Sequence, residues 1–354
     1  MNRRDLIHQA GRIAAIATCA VLYPAALHAQ ADKSARDASI HLWRERVRKI
    51  LKQGKLPIID TQATLWHTID IEFIVREMDT NNVAQVAFAP NFSLGSASSI
   101  GLHKRYPQHF IPTTADASSW HWDKNPQHFV DAVISEFKSG NYFMMGEYEL
   151  RHYPSPMQWR AGNLDRDITV PLKTDAVHDL FRFSQANNVP FTIHYEIEDA
   201  LLPPLEDLLE RYPGALVVWA HVGQVRYPDR AKRYDPRYVR SLIARFPNLH
   251  FDLGSMVYPG NVYPASGARD MILFEFTGNP PYGGYLKGRW RELFDAHPER
   301  FLAATDIDGG RWKQFPMIVQ RLRNLVLEKL SERSRHLIAY QNAWRLVTTE
   351  RWSN

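Results

Sequence analysis

The chain has 354 residues, 45% of them hydrophobic and 12% aromatic, enough to bury a large core in one domain of about 250 residues with insertions. Its formal net charge of +5 comes without a dense basic stripe, so composition argues against a phosphate-backbone binder and excludes nucleic acid as the expected partner. The single cysteine, Cys19, lies near the N-terminus, and a chain shortened beyond it has neither a disulfide nor a Cys-ligated metal.

The N-terminus reads as an export signal. Arg3-Arg4 and Arg12 supply the charged start, Ile13 to Ala26 the apolar stretch, and Ala29-Gln30-Ala31 a small-x-small cleavage site. The Arg3-Arg4 pair resembles a twin-arginine signal, from which Asn2 and Asp5 depart. The expected plan is a signal over 1–31, a linker and leader helix over 32–56, and the main folded unit over 57–354, ending in helices. Cleavage would give a periplasmic or secreted protein without stable membrane association. A retained anchor is the alternative, disfavoured by Pro24 and by an apolar run shorter than a bilayer requires.

Residues 32–39 are small and charged, the composition of a linker. After them Ile40, Trp43, Val47, Ile50 and Leu51 recur at helical spacing among Arg44, Arg46, Arg48, Lys49 and Lys52. This basic amphipathic helix is expected to pack beneath the main domain, with contact to a membrane surface as the other reading.

From Pro57 onward, short apolar strands alternate with helical stretches. The expected strands are Pro57–Thr61, Gln85–Ala89, Phe110–Thr114, Tyr142–Glu147, Pro190–His194, Leu216–His221, Leu249–Leu253 and Phe301–Asp306. Between them lie helical candidates such as Ile71–Met78, Phe129–Phe137, Ala176–Ala186 and Pro204–Tyr212. This alternation predicts an α/β fold, a (β/α)8 TIM-type barrel. After the seventh strand a loop from Gly254 to about Lys287 is rich in Gly, Pro and Tyr, with Tyr258, Pro259, Gly260, Pro280, Pro281 and Tyr282. Such a loop at the catalytic face covers a substrate or contacts a neighbouring subunit, so a homo-oligomer stays open.

Four of these strands run through apolar residues and stop on a metal-ligand type: Glu147, His194, His221 and Asp306. In a parallel β/α barrel the carboxyl ends of the strands share one mouth, where separated residues converge. A zinc-type ion needs three or four N/O donors and, for catalysis, an open position for water; Glu147, His194 and His221 supply one carboxylate and two imidazoles. Asp306 is the candidate base, with Asp308 its competitor. Each has a structural alternative: a hydrogen-bonded core histidine, a Glu147–Arg151 pair, a capping Asp306. Arg151, His152 and Tyr195, which follow the Glu147 and His194 strands, are candidates to orient a carboxylate or carbonyl oxygen, with surface solvation as the alternative. Trp66, Trp120 and Trp122 would line the same mouth or pack in the core.

The segments PIIDTQATLW, MMGEYEL, FTIHYE, VVWAHVGQ, FLAATDID and IAYQNAWRLV, from about residue 57 to 347, resemble the signature segments of the amidohydrolase superfamily in its amidohydrolase-related group. The resemblance implies a metal-dependent β/α barrel that hydrolyses amides, esters or lactones or, in some branches, removes a carboxylate. Where that family reads Asp-x-His-x-His on the first strand, this chain reads Asp60-Thr61-Gln62-Ala63-Thr64. The implied site therefore holds one divalent ion, zinc or else manganese, on Glu147, His194 and His221, with Gln62 and Thr64 as polar lining. The expected activity is hydrolysis of a small-molecule ester, lactone or amide. A non-oxidative decarboxylase of an aromatic or unsaturated acid and a metal-free binding barrel are the alternatives.

Overall fold

The computed structural model describes residues 33–117, 121–122, 125–139, 142–254, 262–277 and 283–353. The expected signal over 1–31, with Cys19, lies outside them, as do Trp120 and the loop residues Tyr258, Pro259, Gly260, Pro280, Pro281 and Tyr282.

Residues 33–52 form one helix, α1. The expected linker over 32–39 is thus helical from 33 onward, because its charged residues find partners. Lys33 pairs with Asp37 one turn away at 2.8 Å, and Arg36 donates to the carbonyls of Tyr142 and Val347 while lying 4.0 Å over the Phe143 ring. Ile40, Trp43, Val47 and Ile50 are buried on one face of α1. Trp43 Nε1 donates to Pro107 O and Arg46 to Ala84 O, which docks α1 at the entry to the second and third strands.

The barrel strands among the described residues are β1 (Ile58–Leu65), β2 (Val83–Pro90), β3 (Phe110–Ile111), β4 (Glu147–His152), β5 (Phe191–Tyr195), β6 (Val217–Trp219), β7 (Leu249–Asp252) and β8 (Phe301–Leu302). Parallel ladders join β1 to β2, β2 to β3, and β4 through β5, β6 and β7 to β8. Two seams rest on single bridges instead. Thr113–Met144 and Ala117–Tyr148 link the β3 and β4 segments, and Ala63–Ile307 links β1 to the chain beyond β8. That last seam closes the (β/α)8 barrel: Thr61 N donates to Ala303 O, Asp306 N to Gln62 O, and Thr64 N to Ile307 O. The buried Asp60 carboxylate reinforces it by accepting from Gln62 N at 3.1 Å and Thr305 N at 3.0 Å.

Helices α2 (Ile71–Thr80), α3 (Ala97–Arg105), α4 (Pro126–Lys138), α5 (Asp175–Asn187), α6 (Leu202–Arg211), α7 (Pro236–Arg245) and α8 (Gly288–Ala296) wrap the strands. Their starts follow local chemistry. Asp70, Asn125 and Asp235 cap α2, α4 and α7 through their side-chain oxygens, and Pro occupies the first turn of α4 and α7, where no intrahelical N–H is needed. Leu205, Leu208 and Leu209 of α6 lie at helical spacing and are buried.

Beyond shifts in strand bounds, two further elements differ from expectation. The fourth strand, expected over Tyr142–Glu147, has its ladder at Glu147–His152, because Arg151 and His152 extend it by pairing antiparallel with Ile168–Thr169. The long loop after β7 contains an antiparallel hairpin, Phe274–Thr277 with Gly283–Leu286.

His250 lies on β7, two residues before Asp252 and hence on the same face. Burial, with the charges of Arg300 and Arg345, pushes its pKa down to about 3. The unfolded chain binds this proton below about pH 6.5 and the folded chain does not, so stability is present above that pH and is lost as the pH falls toward 3. Replacing His250 by Leu should flatten the acid limb by as much as about 1.4 kcal/mol per pH unit. Urea unfolding of both proteins at pH 7 and pH 5 checks this; equal pH slopes would contradict it.

Candidate metal centre

Glu147 opens β4, His194 is the fourth residue of β5, and His221 lies two residues beyond β6. Alternation along the strands and the common parallel direction turn all three into the mouth. Their ligating atoms lie within 4.8 Å of one another. Glu147 Oε1 is 3.1 Å from His194 Nδ1 and 3.7 Å from His221 Nε2. A tetrahedral ion with bonds of about 2.0 Å sets its ligands about 3.3 Å apart, so the two measured edges bracket what zinc needs. One carboxylate with two imidazoles is also the donor chemistry that zinc takes.

Asp306 follows β8 and meets the cluster through Gln62, whose Nε2 donates to Glu147 Oε2 at 2.6 Å and to Asp306 Oδ1 at 3.3 Å. The alternative of a Glu147–Arg151 pair is not realised, because Arg151 pairs with Glu198 and Asp167. Asp308 accepts from Gly310 N and shares Arg311 with Asp306, the Arg311 Nη2 lying 3.0 Å from Asp306 Oδ2 and 3.1 Å from Asp308 Oδ2. His221 and Asp306 both occupy left-handed backbone, at φ 59° and 54°. Non-glycine residues hold that conformation at a cost of about 1–3 kcal/mol, which the surroundings must offset.

Asp252 holds the strained His221, and two further buried acids hold the other ligands. Asp252 Oδ1 accepts from His221 N and Gly254 N, both at 2.9 Å, and its oxygen lies 3.7 Å from His221 Nδ1. Asp116 accepts from Glu147 N at 2.8 Å and from Thr64 Oγ1, also at 2.8 Å. Glu196 accepts from His194 Nε2 at 3.1 Å. None of Asp116, Glu196 and Asp252 figured in the sequence reading. Two carried a signal: Asp252 ends the apolar run LHF as His221 ends VVWA, and Glu196 stands two residues beyond His194, on the same face.

Electrostatics follow burial and pairing. Burial raises the Glu147 carboxyl, but His194 and His221 outweigh it and hold it below its ordinary value. Burial likewise raises Asp306, and Arg311 with the two histidines brings it below. His194 is lowered by burial, yet its bonds to Glu147 and Glu196 lift it to about 10. Burial and the Glu147 charge push the Asp116 carboxyl well above its ordinary value.

Thr64 and Gln62 do line this region, whereas two other expected lining residues do not. Arg151 is spent on Glu198 at 2.8 Å, on Asp167 at 2.7 Å and on the Tyr153 ring at 3.9 Å. Tyr195 faces the opposite side of β5 from His194, donates to Leu201 O, and stacks edge-on against Trp219. His152 does reach the cluster, its ring 4.7 Å from that of His194. Trp122 packs in the core against Phe129 and Tyr148, and Trp66 lies beside Gly309 in the loop after β8. Beneath the ligands a cavity of about 10 Å³, lined by Gln62, Thr64, Asp116 and Glu147 among others, has room for one water at most, so a substrate enters from the mouth.

The sequence model of the family described as amidohydrolase matches residues 144–348. The chain belongs to the amidohydrolase family. Its members are metal-dependent enzymes that bind a divalent ion. The matched segment carries Glu147, His194, His221 and Asp306, while β1 with Gln62 and Thr64 precedes it. No curated protein matches the sequence. Among solved structures, that of amidohydrolase II is 12% identical, with 83% of this chain and 100% of that one covered at a TM-score of 0.51. An amidohydrolase from Burkholderia multivorans with bound HEPES is 11% identical, with 82% and 99% covered at a TM-score of 0.50. These likenesses show a shared fold.

A methyl group on Gly254 would stand 2.9 Å from both Gln62 Oε1 and His221 Nδ1 and 3.0 Å from Asp252 Oδ1. Gly254→Ala should therefore displace His221 and weaken ion binding by about 10–100-fold, the cost typical of disturbing a ligand's support. Titration with zinc against a chelating dye measures it, and unchanged affinity would show that the pocket yields.

Proposed function

We propose that this chain is an exported hydrolase that cleaves an ester, lactone or amide bond of a small molecule, using one zinc ion and Asp306 as the base. Glu147, His194 and His221 would hold the ion, which supplies Lewis acidity to the substrate carbonyl and acidity to water. The observation that carries this reading is the Glu147 carboxylate meeting both imidazoles while Gln62 joins it to Asp306.

The remaining work falls to the chain's own groups. Asp306 is ionised at neutral pH, since Arg311 and the histidines hold its carboxyl low, and so it can accept a proton from the attacking water at Oδ1 or Oδ2. The same carboxyl returns that proton to the leaving oxygen or nitrogen. Gln62 limits where Asp306 can swing, and Arg311 fixes its other oxygen. Thr64 acts at one remove by holding Asp116, which holds the Glu147 amide. Export rests on the signal-like residues 1–31.

Elemental analysis of protein purified without added metal should give one ion per chain, and a panel of esters, lactones, amides and aromatic acids should yield an acid plus a leaving group. Bicarbonate as the product would assign decarboxylation instead, and manganese in place of zinc would revise the ion. His194→Ala or His221→Ala should lose the ion together with nearly all turnover. Asp306→Asn should keep the ion and lower kcat by about 10²–10⁴-fold. An Asp306→Asn enzyme with wild-type kcat would end the base assignment.

A further inference from the structure

We propose that Glu196, clamped by Arg226, is a positioning residue that fixes the tautomer and ring angle of His194 so that Nδ1 faces Glu147 and the ion. This deepens the single-ion reading above and rests on it.

The geometry is specific. Glu196 lies just beyond β5 and is 3% exposed. Its Oε1 takes His194 Nε2 at 3.1 Å and Arg226 Nη1 at 2.7 Å. An imidazole that binds an ion is neutral, with one N–H and one lone pair, so His194 gives up a proton to solvent when the ion binds. When the N–H at Nε2 is given to a carboxylate, the lone pair stays at Nδ1, the nitrogen 3.1 Å from Glu147. Without that acceptor, either tautomer would serve and the ring could turn about its χ2 axis. His152 and His221, at ring distances of 4.7 and 5.0 Å, limit the turn but offer no anion.

Burying Glu196 unpaired would be costly, and Arg226 offsets the cost. Arg226 is itself held. It donates to Tyr153 O at 2.6 Å, and its own carbonyl accepts from Ser266 Oγ at 2.7 Å. Its guanidinium lies 5.8 Å from the Tyr263 ring, and Tyr263 OH donates to Pro154 O. Arg226 stands five positions beyond His221 in the same loop. The segment that presents one imidazole therefore also clamps the other, and the loop after β7 braces both.

Zinc titration of the full chain against a chelating dye, with zinc-free thermal unfolding alongside, tests the proposal. Glu196→Ala should bind zinc about 10–100-fold more weakly, and its zinc-free unfolding midpoint should fall as well, because Arg226 is left buried without its anion. Glu196→Gln, whose amide oxygen still accepts from Nε2, should recover most of the affinity. A merely structural role predicts the lowered midpoint with zinc affinity intact, and that result overturns the proposal. If Glu196→Ala fails to fold, Glu196→Asp decides, because it keeps the charge but withdraws the oxygen by one methylene; wild-type affinity there also overturns it. Wild-type protein that takes up no zinc would overturn the ion reading and this one with it, whereas equal binding by wild type and Glu196→Ala removes only the role of Glu196.

Discussion

The mouth of the barrel is organised around the Glu147 carboxylate. A buried carboxylate is costly unless charges and donors surround it, and Glu147 has two imidazoles on Oε1 and the Gln62 amide on Oε2. These partners come from β1, β5 and the turn after β6, so the carboxylate draws together elements that meet only when the barrel is closed. Its backbone is held as well. Asp116 takes the Glu147 amide, and burial together with the Glu147 charge raises the Asp116 carboxyl well above its ordinary value. Burial, charge and position are thus set by one connected network, in which removing a member leaves the others unpaired.

The same network accounts for where the fold accepts strain. His221 and Asp306 sit in left-handed backbone, a conformation that side chains with a Cβ adopt reluctantly. Both are pinned by groups buried for that purpose: Asp252 takes the His221 amide, and the Asp306 amide goes to Gln62 O across the closing seam. Asp60 and Asp252 are themselves raised by burial, to about 7 and about 6, so each costs stability as a charged group. Their hydrogen bonds fall on Gln62, Thr305, His221 and Gly254, residues next to or within the site. Stability is given up where position matters most.

The barrel was legible because its strands are short apolar runs between amphipathic helices, and Glu147, His194, His221 and Asp306 each end such a run. Strand limits were less legible: the ladder at β8 covers only Phe301–Leu302, while Ala303–Asp306 is tied by single bonds to β1. The lining residues failed for a geometric reason. Tyr195 is adjacent to His194, and neighbouring residues on a strand face opposite sides, so its nearness in sequence places it outside the barrel wall. Arg151 follows a register shift between Glu149 and Arg151, which no composition signal announces, and its partners Asp167 and Glu198 come from segments between the expected strands and helices. Asp116 was illegible because it ends no recognisable run; its importance comes from the amide it accepts.

Gln62 shows how one substituted position alters the chemistry of the mouth. An imidazole there would offer a lone pair to an ion. The Gln62 amide instead directs Nε2 at two carboxylates, and a nitrogen engaged as a donor has no lone pair to give. Asp306 raises the Glu147 carboxyl by repulsion, and the shared amide donor lies between the two acids and offsets that repulsion. The residue thus acts as a strut where a ligand would otherwise stand. A strut of this kind separates the duties of the two acids: Glu147 is committed to the imidazoles, and Asp306, steadied by Arg311, is left to handle protons.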